Sequence, residues 1–177
     1  MTNHTVIETT RLLLRQICSD DTEALLHVFG DAEVMRFGDG VKTRAWIHAW
    51  IRECITSYEA HGFGPWAMIL KASNEVIGYC GLFYFADVNG RAEVEVGYRL
   101  AHAHWGCGIA TEAVRAVRDH AFGVLGLARL IALIDPNNHA SIRVAEKAGL
   151  HYEADVMFEG YDHPDRVYVV QAASTRS

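Results

Sequence analysis

The chain has 177 residues, half of them hydrophobic, enough for one globular domain with a substantial core. Its formal charge of −6 argues against sequence-independent binding to nucleic acid, which needs a basic face. There is no run of about 18 apolar residues, and Glu8 and Arg11 interrupt the first segment, so no membrane span or signal peptide is expected and the protein reads as cytoplasmic.

In chain order, residues 7–15 (IETTRLLLR) read as a strand, and 19–31 opens with capping residues before a short helix. Thr43 caps a longer helix over about 44–60 that ends before Gly62. Residues 65–71, 76–86 and 91–100 read as three strands, and the turn stretches ASNE and DVNG make them an antiparallel meander. Ala110, Val114, Val117 and Ala121 recur at helical spacing, which predicts a helix over about 108–123. The apolar run 127–134 reads as a strand covered on both faces. A helix over about 138–148 and strands at 152–158 and 166–170 complete the order β-α-α-β-β-β-α-β-α-β-β. The β-α-β crossover predicts that strand 127–134 runs parallel to strand 91–100. No repeat, linker or low-complexity stretch divides the chain, so 1–177 reads as a single domain with its core at 7–170.

The four cysteines, Cys18, Cys54, Cys80 and Cys107, form no CxxC pair, and a disulfide framework is not expected. His102, His104 and Cys107 are spaced like metal ligands but lack a fourth partner, so no metal is expected.

Residues 105–111 (WGCGIAT) run into the helix from a central strand's C-terminal end, where α/β folds bind ligands. A helix N-terminus carries unpaired N–H groups and about half a positive charge. Glycines ahead of it let an anion approach the backbone. Glycines alone are equally consistent with a tight turn. A nucleotide P-loop would end in Gly-Lys-Ser/Thr, and a dinucleotide fingerprint would open a Rossmann half; neither fits here.

The motif W-G-x-G-x-A-T-E-A at 105–113 is followed by Asn138, Ser141, Val144, Glu146, Lys147 and Gly149 in the pattern N-x-x-S-x-x-V-x-E-K-x-G. E-T-x-R-L-x-L-R at 8–15, I-G-x-x-G-L at 77–82 and E-V-G-Y-x-L at 95–100 are also present. Together, in this order over about 7–170, they resemble the GNAT superfamily of N-acetyltransferases, and within it the RimJ/RimL-type branch, named for ribosomal-protein alanine acetylation. The resemblance implies a mixed α/β (α+β) fold. Its central sheet would be mostly antiparallel, with a splayed parallel pair and helices on both faces. It also implies that Trp105, Gly106, Cys107, Gly108, Ile109, Ala110 and Thr111 hold the pyrophosphate of acetyl-CoA through backbone amides. Trp105 stands where the family pattern has Gln or Arg, so this position supplies no cation. Tyr98, Arg99 and Leu100 would meet the pantetheine arm along the splayed strand, with one backbone N–H polarising the thioester. Within that strand Val94, Val96, Tyr98 and Leu100 share one face, with Glu93, Glu95 and Arg99 on the other.

Acetyl transfer to an amine needs a base for the amine and an acid for the leaving thiolate. Glu95 matches the family's strand glutamate and is the candidate base; Glu93 is a weaker one, and His102 and His104 suit the pH range. Many relatives place a tyrosine where this chain has Ala145, so Ser141, one turn earlier, is the candidate acid. Asn138 is suited to the pantetheine amides, or to capping its helix, or to both. Cys107, between glycines near a helix N-terminus, is expected to react with thiol reagents unless CoA covers it. Phe63 and Trp66 read as core; Phe37, Trp46 and Trp50 are candidates to line the acceptor site.

The resulting expectation is direct acetyl transfer from acetyl-CoA to a primary amine, either a small molecule or a protein N-terminus. No nucleic-acid or membrane partner is expected, and the chain would act as a monomer or homodimer. The rival expectation is an acyl-CoA sensor or partner-binding module without turnover.

Overall fold

Alternating buried and open side chains build one eight-stranded sheet in the computed structural model of the protein, which describes residues 5–173. The strands are β1 (Thr5–Glu8), β2 (Leu12–Gln16), β3 (Pro65–Leu70), β4 (Glu75–Val88), β5 (Arg91–Leu100), β6 (Arg129–Ile134), β7 (His151–Val156) and β8 (Asp165–Gln171). They lie in the order β1-β2-β3-β4-β5-β6-β8-β7. All neighbours are antiparallel except β5 and β6. The helices are α1 (Thr22–Phe29), α2 (Arg44–His61), α3 (Ile109–Gly123) and α4 (His139–Lys147). This is the expected mixed architecture with a parallel pair.

The one segment misread from sequence is 7–15. It holds two strands joined by a tight turn, not one strand. Thr9 makes the turn: its N–H donates to the Leu12 carbonyl (2.9 Å) and its Oγ1 accepts from the Leu12 N–H (2.9 Å). A threonine side chain here does the work of the glycine or asparagine that usually announces a turn.

The helices cover both faces of the sheet. Ile109, Ala113, Val114 and Val117 of α3 and Ile142 and Ala145 of α4 join the core on one face with Leu14, Trp66, Leu82 and Val96. On the other face Leu25 and Phe29 of α1 and Ile47, Trp50, Ile51 and Cys54 of α2 pack on Ala67, Ile69 and Tyr79. Thr43 does cap α2, accepting from the Trp46 N–H, and Gly62 ends it in the left-handed conformation.

The parallel pair positions the site. β4 and β5 pair continuously from Phe85↔Glu93 to Gly78↔Leu100. β5 and β6 share only the register Glu95↔Ile131. Beyond that rung the strands diverge, and β6 instead pairs along its length with β8.

Candidate active site

A cavity of about 270 Å³ occupies the divergence. Its walls include Glu95, Gly97, Tyr98 and Arg99 of β5, Ala132–Ile134 of β6, and Asn138, Ser141 and Ala145 at α4. Tyr79 and Phe83 of β4, Phe37 from the loop after α1, and Asp135 and Asp165 close the rest.

Glu95 sits at the last shared rung. Its Oε1 accepts from the Leu133 N–H (3.2 Å), so a side-chain carboxylate caps a backbone amide where the ladder stops. Burial pushes the Glu95 carboxyl up to about 7; the Leu133 N–H and Arg99 pull it down, and Asp165 pushes it further up. A carboxylate poised near neutrality, in a cleft beside a free strand edge, can accept a proton from an amine.

Glu93, two residues earlier on the same face, is a different group. It is 6% exposed and held between the guanidinium groups of Arg91 and Arg129. Arg129 also pairs with Glu153. Glu93 is outside the cavity and belongs to a structural ion network.

Facing Glu95's strand from α4, the Ser141 Oγ lies 3.1 Å from the Tyr98 hydroxyl. Burial raises the Tyr98 pKa against a smaller opposing effect of Ser141, so the phenol is protonated at neutral pH. Ala145, on the next turn of α4, is buried in the same wall. Tyr98, Ser141 and Ala145 thus line one cavity. Asn138 caps α4, its Oδ1 accepting from the Ser141 N–H (3.1 Å), and it also lines the cavity. The capping role read from the sequence is met, and the Nδ2 donors are left over.

The glycine stretch lies past the end of β5. Gly106 and Gly108 have φ of 74° and 76°, and Gly108 is the N-cap of α3. A Cβ built on Gly106 would meet nothing within 4 Å, so the loop is open to an approaching group. Glycine is required there by the left-handed backbone rather than by crowding. Ile109 is buried in the core, and Ala110 packs against it, so both present backbone amides rather than side chains to the loop. Alternating glycines ahead of a helix N-terminus are the kind of backbone at which anions can bind.

The side chains of Leu100, Trp105, Trp46 and Trp50 do not line the cavity. Leu100 is 4% exposed, its side chain is in the core, and its carbonyl accepts from the Trp105 indole N–H (2.8 Å); it does not line the cavity. The Trp105 side chain therefore folds back onto the end of β5. Trp46 and Trp50 stack with each other and with Phe29 behind the cavity; Tyr79, which touches Phe29 and Trp50, carries that aromatic cluster to the wall. Phe37 does line the cavity, whereas His102 and His104 do not. Cys107 is exposed on the loop.

The residues missed from sequence are Tyr79, Phe83, Asp135 and Asp165. Tyr79 and Phe83 lie opposite Arg99 and Glu95 across the β4–β5 ladder, so strand alternation could have placed them. Asp165 opens β8, whose insertion beside β6 has no local signal.

The fold thus sets a buried carboxyl and a hydroxyl pair at a split parallel strand pair, with a glycine loop at the N-terminus of the next helix. Residues 11–151 match the model of the acetyltransferase (GNAT) domain. The chain is 34% identical to the YkkB protein of Bacillus subtilis, covering 95% of this chain and 96% of that one. It is 33% identical to a Bacillus licheniformis protein named uncharacterized N-acetyltransferase p20, over 87% and 85% of the two chains. An acetyltransferase structure from Agrobacterium tumefaciens superposes with a TM-score of 0.81 at 26% identity, over 97% and 96% of the chains. The chain belongs to the GNAT acetyltransferase family and is an N-acetyltransferase.

Proposed function

We propose that this chain, acting as one domain of the RimJ/RimL-type branch, transfers an acetyl group directly from acetyl-CoA to a primary amine. The acceptor amine is carried by a protein N-terminus or a small molecule. The observation that carries this reading is the Glu95 carboxyl, at the rung where β5 and β6 part, lining one cavity with the Tyr98–Ser141 hydroxyl pair.

In this reading the loop amides of 106–110 hold the diphosphate, and the free β5 edge beyond Glu95 receives the pantetheine arm. Glu95 takes the proton that the amine loses as the new N–C bond forms. The Tyr98–Ser141 pair returns a proton to sulfur as the C–S bond breaks. Asn138 orients the arm through its spare amide donors. Holding both reactants in line supplies much of the rate. The cavity wall carries three carboxyl groups (Glu95, Asp135, Asp165) against one guanidinium (Arg99), which favours a cationic acceptor over an anionic one. Among the described residues no helix is long and apolar enough to cross a membrane, in keeping with an acceptor met in solution.

The test is a calorimetric titration with acetyl-CoA, followed by thiol release against polyamines, amino acids, aminoglycosides and N-terminal peptides. Binding with release by one amine class is expected. Absence of binding would remove the loop assignment, and binding with no release from any amine would favour a sensor.

A further inference from the structure

The motif E-T-x-R at residues 8–11 forms the β1–β2 turn, far from Glu95, and the chemistry above gives it no task. Yet its arginine reaches 96 positions along the chain. Arg11 Nη1 donates to the Cys107 carbonyl (2.7 Å), and Arg11 Nε donates to Glu112 Oε2 (2.6 Å). Glu112, in the first turn of α3, also accepts from the Arg11 N–H (2.9 Å) and the Thr9 hydroxyl (2.7 Å). The guanidinium lies against Gly108, with Nη2 3.5 Å from where a Cβ would stand.

We propose that Arg11 is a positioning residue for the phosphate loop, fixing the Cys107–Gly108 peptide so that the Gly108 N–H faces the diphosphate. This rests on the acetyl-CoA reading above.

The argument starts from the peptide bond. In a trans peptide the C=O and the following N–H point in opposite directions, and no cis bond occurs among the described residues. A guanidinium holding the Cys107 carbonyl on one side therefore aims the Gly108 N–H to the other. This peptide needs a tether, because glycine on both sides of Cys107 makes its rotation cheap. Arg11 is itself pre-aimed, since Glu112 grips its backbone and side chain together.

Arg11 has a second effect. A carboxylate in the first turn of α3 stands near the place where a diphosphate must bind. Unpaired, it would repel that ligand; paired with Arg11, it does not. The two effects separate in a double variant. If neutralising Glu112 were the whole role, removing both charges would restore binding. If Arg11 orients the loop, it would not.

The experiment is calorimetric titration of the wild type, R11A, R11K and R11A/E112Q with CoA, and separately with pantetheine, which lacks the diphosphate. R11A is expected to weaken CoA binding about tenfold or more, the scale of one lost charge-assisted hydrogen bond. R11K keeps the charge but cannot hold Cys107 and Glu112 together, and is expected to lose part of the affinity. The double variant is expected to stay weak, and pantetheine affinity to stay within about twofold in all four proteins, inside the scatter of a contact left intact. Recovery in R11A/E112Q, equal losses for CoA and pantetheine, or wild-type CoA affinity in R11A and R11K would each overturn the proposal while leaving acetyl transfer standing. Failure of the wild type to bind CoA would overturn both. Should R11A not fold, R11K with the same two ligands decides the matter alone.

Discussion

Replacing Glu95 by glutamine tests the chemistry and the electrostatics in one variant. Glutamine keeps the shape and leaves a carbonyl oxygen to accept from the Leu133 N–H, but it cannot take a proton. Loss of a general base of this kind costs on the order of 10²-fold or more in kcat/KM at pH above about 8. The wild type should show an acid limb with an apparent pKa of about 7, and E95Q should lack it. Stability should move the opposite way. The carboxyl rises from 4.5 to about 7 on folding, which at roughly 1.4 kcal/mol per tenfold change in proton affinity is about 3 kcal/mol. Because the folded pKa is raised, the folded state holds a proton that the unfolded chain releases between pH 4.5 and about 7. The cost of ionising Glu95 is therefore absent below that window, grows as pH rises through it, and is fully present above it. Urea titrations at about pH 8.5 should find E95Q more stable than wild type by up to about 3 kcal/mol, with the gain shrinking toward zero near about pH 4.5. A gain that is the same at both pH values would refute the burial argument. Turnover within about twofold of wild type across the pH range would remove Glu95 from the mechanism.

Other outcomes follow from the same geometry. Y98F and S141A should each lower kcat with little change in CoA affinity, and the double variant should cost less than the product of the two, because the hydroxyls are 3.1 Å apart and act as one unit; full multiplicativity in a steady-state assay would separate them. N138A should lower stability by about 1 kcal/mol in urea through loss of the α4 cap, whereas N138D should keep the cap and lose CoA affinity. Cys107 is exposed on the loop, so its labelling by a maleimide should slow on addition of CoA; equal rates with and without CoA would count against the loop assignment.

What was legible in the sequence was local. The alternation of 91–100 put Val94, Val96, Tyr98 and Leu100 on one face, and the structure packs all four in or against the same core cluster. Gly106 and Gly108 marked a tight loop before a helix, and the structure gives both a positive φ. What could not be read was pairing at a distance. Glu93 and Glu95 share a face, and only the position of Arg129, on another strand, makes one a buried ion-pair member and the other a cavity group. Tyr98 meets Ser141 across 43 positions. Arg11 meets Cys107 through a turn that the sequence hid inside an apparently continuous strand. The Leu100 side chain turns into the core at the end of the β4–β5 ladder, which leaves its backbone as the part that the family resemblance assigns to the ligand.

The strand order also bears on how the protein comes to be made. From β1 to β5 each strand pairs with the one just before it in the chain, so five strands can assemble while the ribosome is still adding residues. The other half cannot grow this way. Among the described residues β8 comes last, and it enters between β6 and β7, pairing with both. Until residues 165–171 emerge, β6 lacks its long antiparallel partner. Exposed edges of that sort recruit other chains. The interval between synthesis of β5 and of β8 is therefore the window in which a nascent chain is most open to misassembly. A nascent chain arrested before Asp165 should be held by chaperones or precipitate, whereas one released a few residues after Gln171 should not.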